Sequence, residues 1–219
     1  MASDSNDYSD APECLESPAA EGLKAKPQKK GATYQDVLDA PPNRVAEVLG
    51  GSLYTFPRPA SLHAAAASGL GFKLGNPFQY GQGGPGGWWI IGEPELHLGD
   101  DIVVPDLTGW RRERMPEYPD AAWFSQAPDW VCEVLSPSTQ ALDEGVKKAI
   151  YAREGVPHLW FAEPRARWLA AFALRGTRYA LLRKLTGNAS VSLPPFDAIT
   201  FSLGDLWPGE KPLPPGLPG

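Results

Sequence analysis

The chain has 219 residues, 26 acidic against 20 basic side chains and a net charge of −6, and its pI of about 5.1 argues against a protein that coats nucleic acid by charge alone. A hydrophobic fraction of 42% suffices for one core, no apolar run approaches the ~18 residues of a membrane span, and the opening Met-Ala-Ser-Asp-Ser-Asn-Asp has neither the basic nor the apolar region of a secretory signal. Cys14 and Cys132 make no disulfide framework, so a reducing cytoplasm is the expected setting.

Residues 1–31, rich in Ser, Asp, Ala, Pro and Lys without periodicity, read as a disordered tail. Order is expected from Ala32, in a short helix to Leu38 with Thr33 as its cap and Pro41-Pro42 behind it. Arg44–Leu49 and Ser52–Phe56, joined by Gly50-Gly51, form a hairpin pattern. Alternation puts Val45, Glu47 and Leu49 on one face. Glu47 is then either the surface residue of an edge strand or a buried functional acid, and the residue alone favours the surface. Ser61–Leu70 reads as a helix capped by Ser61, with His63 as a structural histidine. Gly81–Gly87 lacks the Gly-Lys-Ser/Thr of a phosphate loop and reads as a hairpin connection.

Trp88–Ile91 starts a strand that Glu93–Leu98 continues, and Gly99-Asp100-Asp101 turns it back. Ile102–Asp106 is an apolar strand ending on Pro105-Asp106, which Leu107–Trp110 extends. Trp130–Leu135 is apolar throughout except for Glu133, the pattern of a central strand buried on both faces. An ionised glutamate there is costly unless paired or bound to metal. Ser136-Pro-Ser-Thr139 caps a helix from Gln140 to Glu154 that Gly155 stops. On it Leu142, Val146, Ile150 and Arg153 form one stripe, and Asp143, Lys147, Tyr151 and Glu154 the next. His158–Ala162, Trp168–Phe172 and Tyr179–Arg183 are further strands, Leu203–Trp207 is a last helical turn, and 208–219 is a Pro/Gly tail. Between Pro164 and Phe196 there is no acid, while Arg165, Arg167, Arg175, Arg178, Arg183 and Lys184 stand there. That excess suits either a phosphate backbone or a solvated hairpin face.

Asp106, Glu133 and Lys147 are the candidate residues for chemistry, if two neighbouring strands and the following helix converge. Phosphodiester hydrolysis needs a cation on the scissile phosphate, an activated water, and charge for the transition state. A hard divalent cation is held by one or two carboxylates with waters and substrate oxygens, and a neighbouring lysine can lower the water's pKa or stabilise the phosphorane. The fourteen positions from Glu133 to Lys147 allow a strand end, a cap and about two helical turns. Against this stands a set of ordinary ion pairs: Asp106 capping a loop, Glu133 paired with a lysine, and Lys147 bridging Asp143 at i, i+4. Residue types alone weigh the two evenly.

The run Pro105-Asp106, Pro128-Asp-Trp-Val-Cys-Glu133-Val-Leu-Ser-Pro-Ser-Thr139, Asp143, Lys147, Tyr151, Gly155-Val156-Pro157 and Trp160 resembles the Uma2 family, within the PD-(D/E)xK restriction-endonuclease-like superfamily. The resemblance covers 32–207, the Glu47-Val-Leu-Gly-Gly hairpin included. It implies an α/β fold, a mixed central β-sheet flanked by helices, with an antiparallel β extension over 158–185. It implies a Mg2+- (or Mn2+-) dependent endonuclease acting on nucleic acid, DNA foremost, with Asp106 and Glu133 as metal ligands and Glu47 as a supporting acid. The superfamily's lysine two positions after the second acid falls on Leu135, which cannot serve. The role passes to the helix at Lys147, with Lys148 as the adjacent alternative. Superfamily members that cut both strands often dimerise, so a homodimer is compatible with the resemblance. An inactive nucleic-acid-binding or interaction protein on the same fold is the second expectation, fed by the acidic pI and the missing strand lysine. The usual Val-Pro-Glu-Tyr-Trp…Asp-Pro is here Val156-Pro-His158-Leu-Trp160…Glu163-Pro, a departure in packing more than chemistry.

Overall fold

Two sheets and few helices carry the fold, in a computed structural model that describes residues 25–208. In chain order the elements begin with β1 (Lys29–Lys30), α1 (Tyr34–Leu38), β2 (Arg44–Leu49), β3 (Ser52–Pro57) and α2 (Ser61–Leu74), which runs into a π turn, Gly75–Gln79. There follow β4 (Trp88–Gly92), β5 (Leu96–Leu98), β6 (Asp101–Val103), β7 (Leu107–Arg111) and β8 (Trp130–Val134). One broken helix comes next: α3 (Gln140–Leu142), a π turn (Asp143–Lys147) and α4 (Lys148–Arg153). The chain then forms β9 (His158–Glu163), β10 (Trp168–Arg175), β11 (Arg178–Thr186), β12 (Ser190–Val191), β13 (Phe201–Ser202) and a 3-10 turn, Leu203–Leu206.

The larger sheet has the order β11-β10-β9-β8-β7-β4. Only β8 and β9 are parallel in it, and the broken helix is the crossover that parallel pairing requires. All of β8 is buried, because both of its faces are covered. On one face Trp130, Trp160, Trp88 and Phe78 pack around Phe196, with ring centroids 4.6 to 5.8 Å from it. On the other, Val131, Leu135, Leu159 and Phe161 meet Ile150 and Tyr151 of α4. The smaller sheet, β1-β3-β2-β6-β5, is antiparallel. Its β2–β3 hairpin turns on Gly50 and Gly51, both at positive φ, as a two-residue turn of primed type demands.

Two of the places where the chain changes sheets, β4 to β5 and β6 to β7, correct the expected strands. The continuous strand expected over 88–98 is two, β4 in the larger sheet and β5 in the smaller, broken at Glu93, which stands at φ 47. The strand expected over 102–110 is likewise β6 and β7, separated by Val104-Pro105-Asp106, where proline donates no ladder hydrogen bond. The second crossing hangs Asp106 at the seam between the sheets.

Paired structure also begins before Ala32, since Lys29 and Lys30 pair with Leu53 and Ser52. The rest of the expected tails, 1–24 and 209–219, lies outside the described residues. Ser61 is the first residue of α2 and Ala60 its cap, and the helix runs four residues past the expected Leu70. Gly81–Gly87 joins a π turn to β4 rather than two strands of a hairpin. No helix among the described residues is long and apolar enough to cross a membrane.

Candidate active site

At the seam, β2, the β6–β7 link, the end of β8 and the second π turn face one cleft of about 380 Å³. Glu133 reaches it from the most buried strand. Its Oε1 accepts a hydrogen bond from the Tyr151 hydroxyl at 2.5 Å and pairs with Lys147 Nζ at 2.9 Å. Lys147 Nζ also lies 3.1 Å from Glu47 Oε1, 3.6 Å from Asp143 Oδ1, and 3.5 Å from the Val104 carbonyl it donates to. Glu47 Oε1 accepts the Val104 N–H at 2.6 Å, so one acid–lysine pair clamps the link that carries Asp106. Asp106 itself is fixed from both sides: Oδ2 accepts the Val134 N–H at 2.7 Å and Oδ1 meets His63 Nε2 at 2.6 Å.

The broken helix explains how a polar stripe becomes buried. Asp143 and Lys147 bound its π turn, a widening of the helix that recurs at functional sites. Asp143, Lys147 and Tyr151 face inward at 4, 3 and 0% exposure, whereas Val146, expected on the apolar face, is 38% exposed.

All four residues singled out from sequence, Glu47, Asp106, Glu133 and Lys147, line this cleft. Glu47 is 3% exposed, which overturns the edge-surface reading: β2 is an inner strand, flanked by β3 and β6. Lys148, the alternative lysine, points elsewhere, its Nζ 4.3 Å from the centre of the Phe172 ring. Leu135, at the usual lysine position, is a buried apolar wall of the cleft. Of the two departures from the family pattern, Glu163 accepts the backbone N–H groups of Arg165 and Ala166 in the β9–β10 turn, and His158 sits at the start of β9. Arg58 lines the cleft without having been singled out from sequence, and His63, read there as a structural histidine, lines it too and is partnered by Asp106. His63 lies 43 positions before its partner Asp106, and no spacing signal joins a helix start to a sheet seam.

Charge is concentrated here. Glu47, Glu133 and Asp143 are buried and Asp106 is half-buried, with Lys147 and His63 as their basic partners. Burial raises the Glu133 carboxyl well above its ordinary range, Lys147 pulls it back, and Asp143, Asp106 and Glu47 push it further up. Burial opposes the charge on Lys147, but Glu133, Glu47 and Asp143 outweigh it and hold the ammonium protonated far above its ordinary pKa. Burial also disfavours the His63 cation, and the hydrogen bond and charge of Asp106 raise its pKa in spite of that. Lys147 is therefore a fixed positive charge and not a proton acceptor at neutral pH.

Two measurable consequences arise. Burial raises the Asp143 carboxyl to about 6, against the pull of Lys147. Its folded pKa exceeds the unfolded one, so the native state keeps a proton that the unfolded chain has released. The stability this confers is present below about pH 4 and lost as pH rises through about 6. Asp143→Asn should flatten the pH dependence of urea unfolding over that window by on the order of 2 kcal/mol. Tyr151→Phe removes the donor to Glu133 inside the core and should cost about 1–2 kcal/mol in the same unfolding assay at neutral pH.

Mixed sheets with few flanking helices are consistent with a restriction-endonuclease-like fold. Residues 32–204 match the family model Uma2, described as "Putative restriction endonuclease", and the chain belongs to that family. It is also similar to a crystal structure described as "a putative nuclease belonging to DUF820" from Anabaena variabilis, with a TM-score of 0.64 and 23% identity over 80% of this chain and 97% of that one. The two share the fold. The chain matches no curated protein sequence.

Proposed function

We propose that the protein is a divalent-metal-dependent endonuclease that hydrolyses phosphodiester bonds of nucleic acid, DNA foremost. The observation that carries this reading is the meeting of Asp106, Glu133 and Lys147 in one cleft that Arg58 and Arg165 also line.

The donor set fits a hard cation. Four carboxylates gather around one lysine and one histidine, a surplus of negative charge that is costly at low dielectric and that a divalent ion would neutralise. No group of three His, Cys, Asp or Glu side chains among the described residues is arranged to enclose an ion by itself. Mg2+ takes one or two carboxylates and completes its shell with water and substrate oxygens. Asp106 and Glu133 would hold the ion, which when bound supplies Lewis-acid polarisation of the phosphate and a more acidic water.

The chain's own groups do the rest. Lys147 directs its fixed charge at the site where the phosphorane develops, and Glu47 and Asp143 hold it there. His63 and the Val134 N–H fix the orientation of Asp106. Arg58 and Arg165 offer bidentate donors to the phosphates on either side of the scissile one. Supercoiled plasmid should be nicked in Mg2+ or Mn2+ and not in EDTA, and Asp106→Asn should slow nicking about 100-fold or more. Equal nicking by Asp106→Asn would remove the proposed role of this carboxylate.

A further inference from the structure

A second cleft, of about 610 Å³, adjoins the first along α2 and the Gly75–Gln79 turn. The two share Pro59, His63, Glu93 and Asp106 as common lining. The His63–Asp106 pair is therefore the wall between them. The volume lies within the range of pockets that enclose small molecules, about 300–1,000 Å³. Phe72 and Tyr80 line it while remaining 74 and 65% exposed. Asn76 and Gln79 line it too. The Gln79 Oε1 accepts the Ile90 N–H at 2.8 Å, which leaves its amide N–H groups as the donors it can offer.

We propose that this cleft receives an unpaired nucleobase next to the scissile phosphate, so that the substrate is single-stranded DNA or DNA with an unpaired nucleotide at the cut. This deepens the nuclease reading and rests on it. Continuity with the acid cluster through this shared lining puts the cleft beside the phosphate that Asp106 and Glu133 would hold in the nuclease reading. Aromatic faces with amide donors match a base, which offers a π face and a hydrogen-bonding edge. A base stacked inside a regular duplex cannot enter a cleft behind the His63–Asp106 wall unless it is taken out of the stack. That exchange is cheapest where the base is already unpaired.

The test uses the full chain in EDTA, with fluorescence anisotropy of labelled oligo-dT against the same strand annealed to its complement. The single strand should bind about tenfold tighter or more, a strand with abasic sites should lose that advantage, and so should Phe72→Ala/Tyr80→Ala. Both side chains are exposed, so an unchanged thermal melt checks that the double variant is folded. Equal binding of duplex and single strand, or a preference that survives the double variant, overturns the proposal. A parallel digestion in Mn2+ separates it from the nuclease reading. If no DNA is cut yet the aromatic-dependent preference holds, the nuclease reading fails and with it the scissile phosphate, and only a site for an unpaired base stands. If duplex is cut as fast as single strand and the double variant changes nothing, the base site fails and the nuclease reading stands.

Discussion

Glu133→Gln should abolish metal-dependent DNA cleavage, lowering the rate on the order of 10³-fold or more, about 4 kcal/mol of transition-state stabilisation, while the protein stays folded. The substitution keeps the shape of the side chain and an oxygen to accept the Tyr151 hydroxyl. It removes a charge that burial and three neighbouring carboxylates already disfavour. Lys147 keeps Glu47 and Asp143 as partners at 3.1 and 3.6 Å, so no buried cation is orphaned. Stability should therefore hold within about 1 kcal/mol, since a neutral amide suits a site that penalises the ionised acid. Plasmid-nicking rates and thermal unfolding of the same preparation check both halves. Retained activity, or a collapse of the fold, would count against the role assigned to this residue.

Lys147→Met should have the largest effect on stability, about 3–5 kcal/mol at pH 8. The ammonium is 3% exposed and is the shared partner of Glu47, Glu133 and Asp143. Without it those acids are uncompensated in the core, and the folded pKa values of Glu133 and Asp143, already raised by burial, rise further. A raised carboxyl pKa stabilises below the unfolded value and loses that stabilisation as pH rises through the folded one. The deficit should accordingly be small near pH 4–5 and reach its full size above pH 7. Urea unfolding at pH 5 and pH 8 measures it, with Lys148→Met as a control expected to cost about 1 kcal/mol or less, the scale of the contact of Lys148 with the Phe172 ring. A Lys147→Met variant as stable as wild type at pH 8 would show that the cluster is not held together by this charge.

Much of this site was legible in the sequence, and the reason is local. Glu133 betrays itself as the one charge in an apolar run, because such a run must be a central strand and a central strand has nowhere to hide a carboxylate. Lys147 stands out through the family resemblance, the spacing to Asp143 and Tyr151 favouring it over Lys148. Glu47 reads wrongly from its own strand, since its burial is made by β6 and by Lys147, which arrive 55 and 100 positions later. His63 is hidden for the same reason, its partner lying across the fold. The split of the expected 88–98 strand into β4 and β5 turns on Glu93 adopting positive φ, which no propensity scale expects of a glutamate. Val146 is exposed at the π turn while Leu142 and Ile150 of its stripe stay buried, and helical spacing alone assumes 3.6 residues per turn.

The central claim is that Asp106 and Glu133 together hold a divalent ion at the seam of the two sheets. A calorimetric titration of Mn2+ into the purified protein at neutral pH, repeated on Glu133→Gln and Asp106→Asn, tests it most directly. Saturable binding of one or two ions to the wild type, weakened at least tenfold in each variant, is the expected result. Binding that is unchanged in both variants, or no binding to the wild type at millimolar Mn2+, would contradict it.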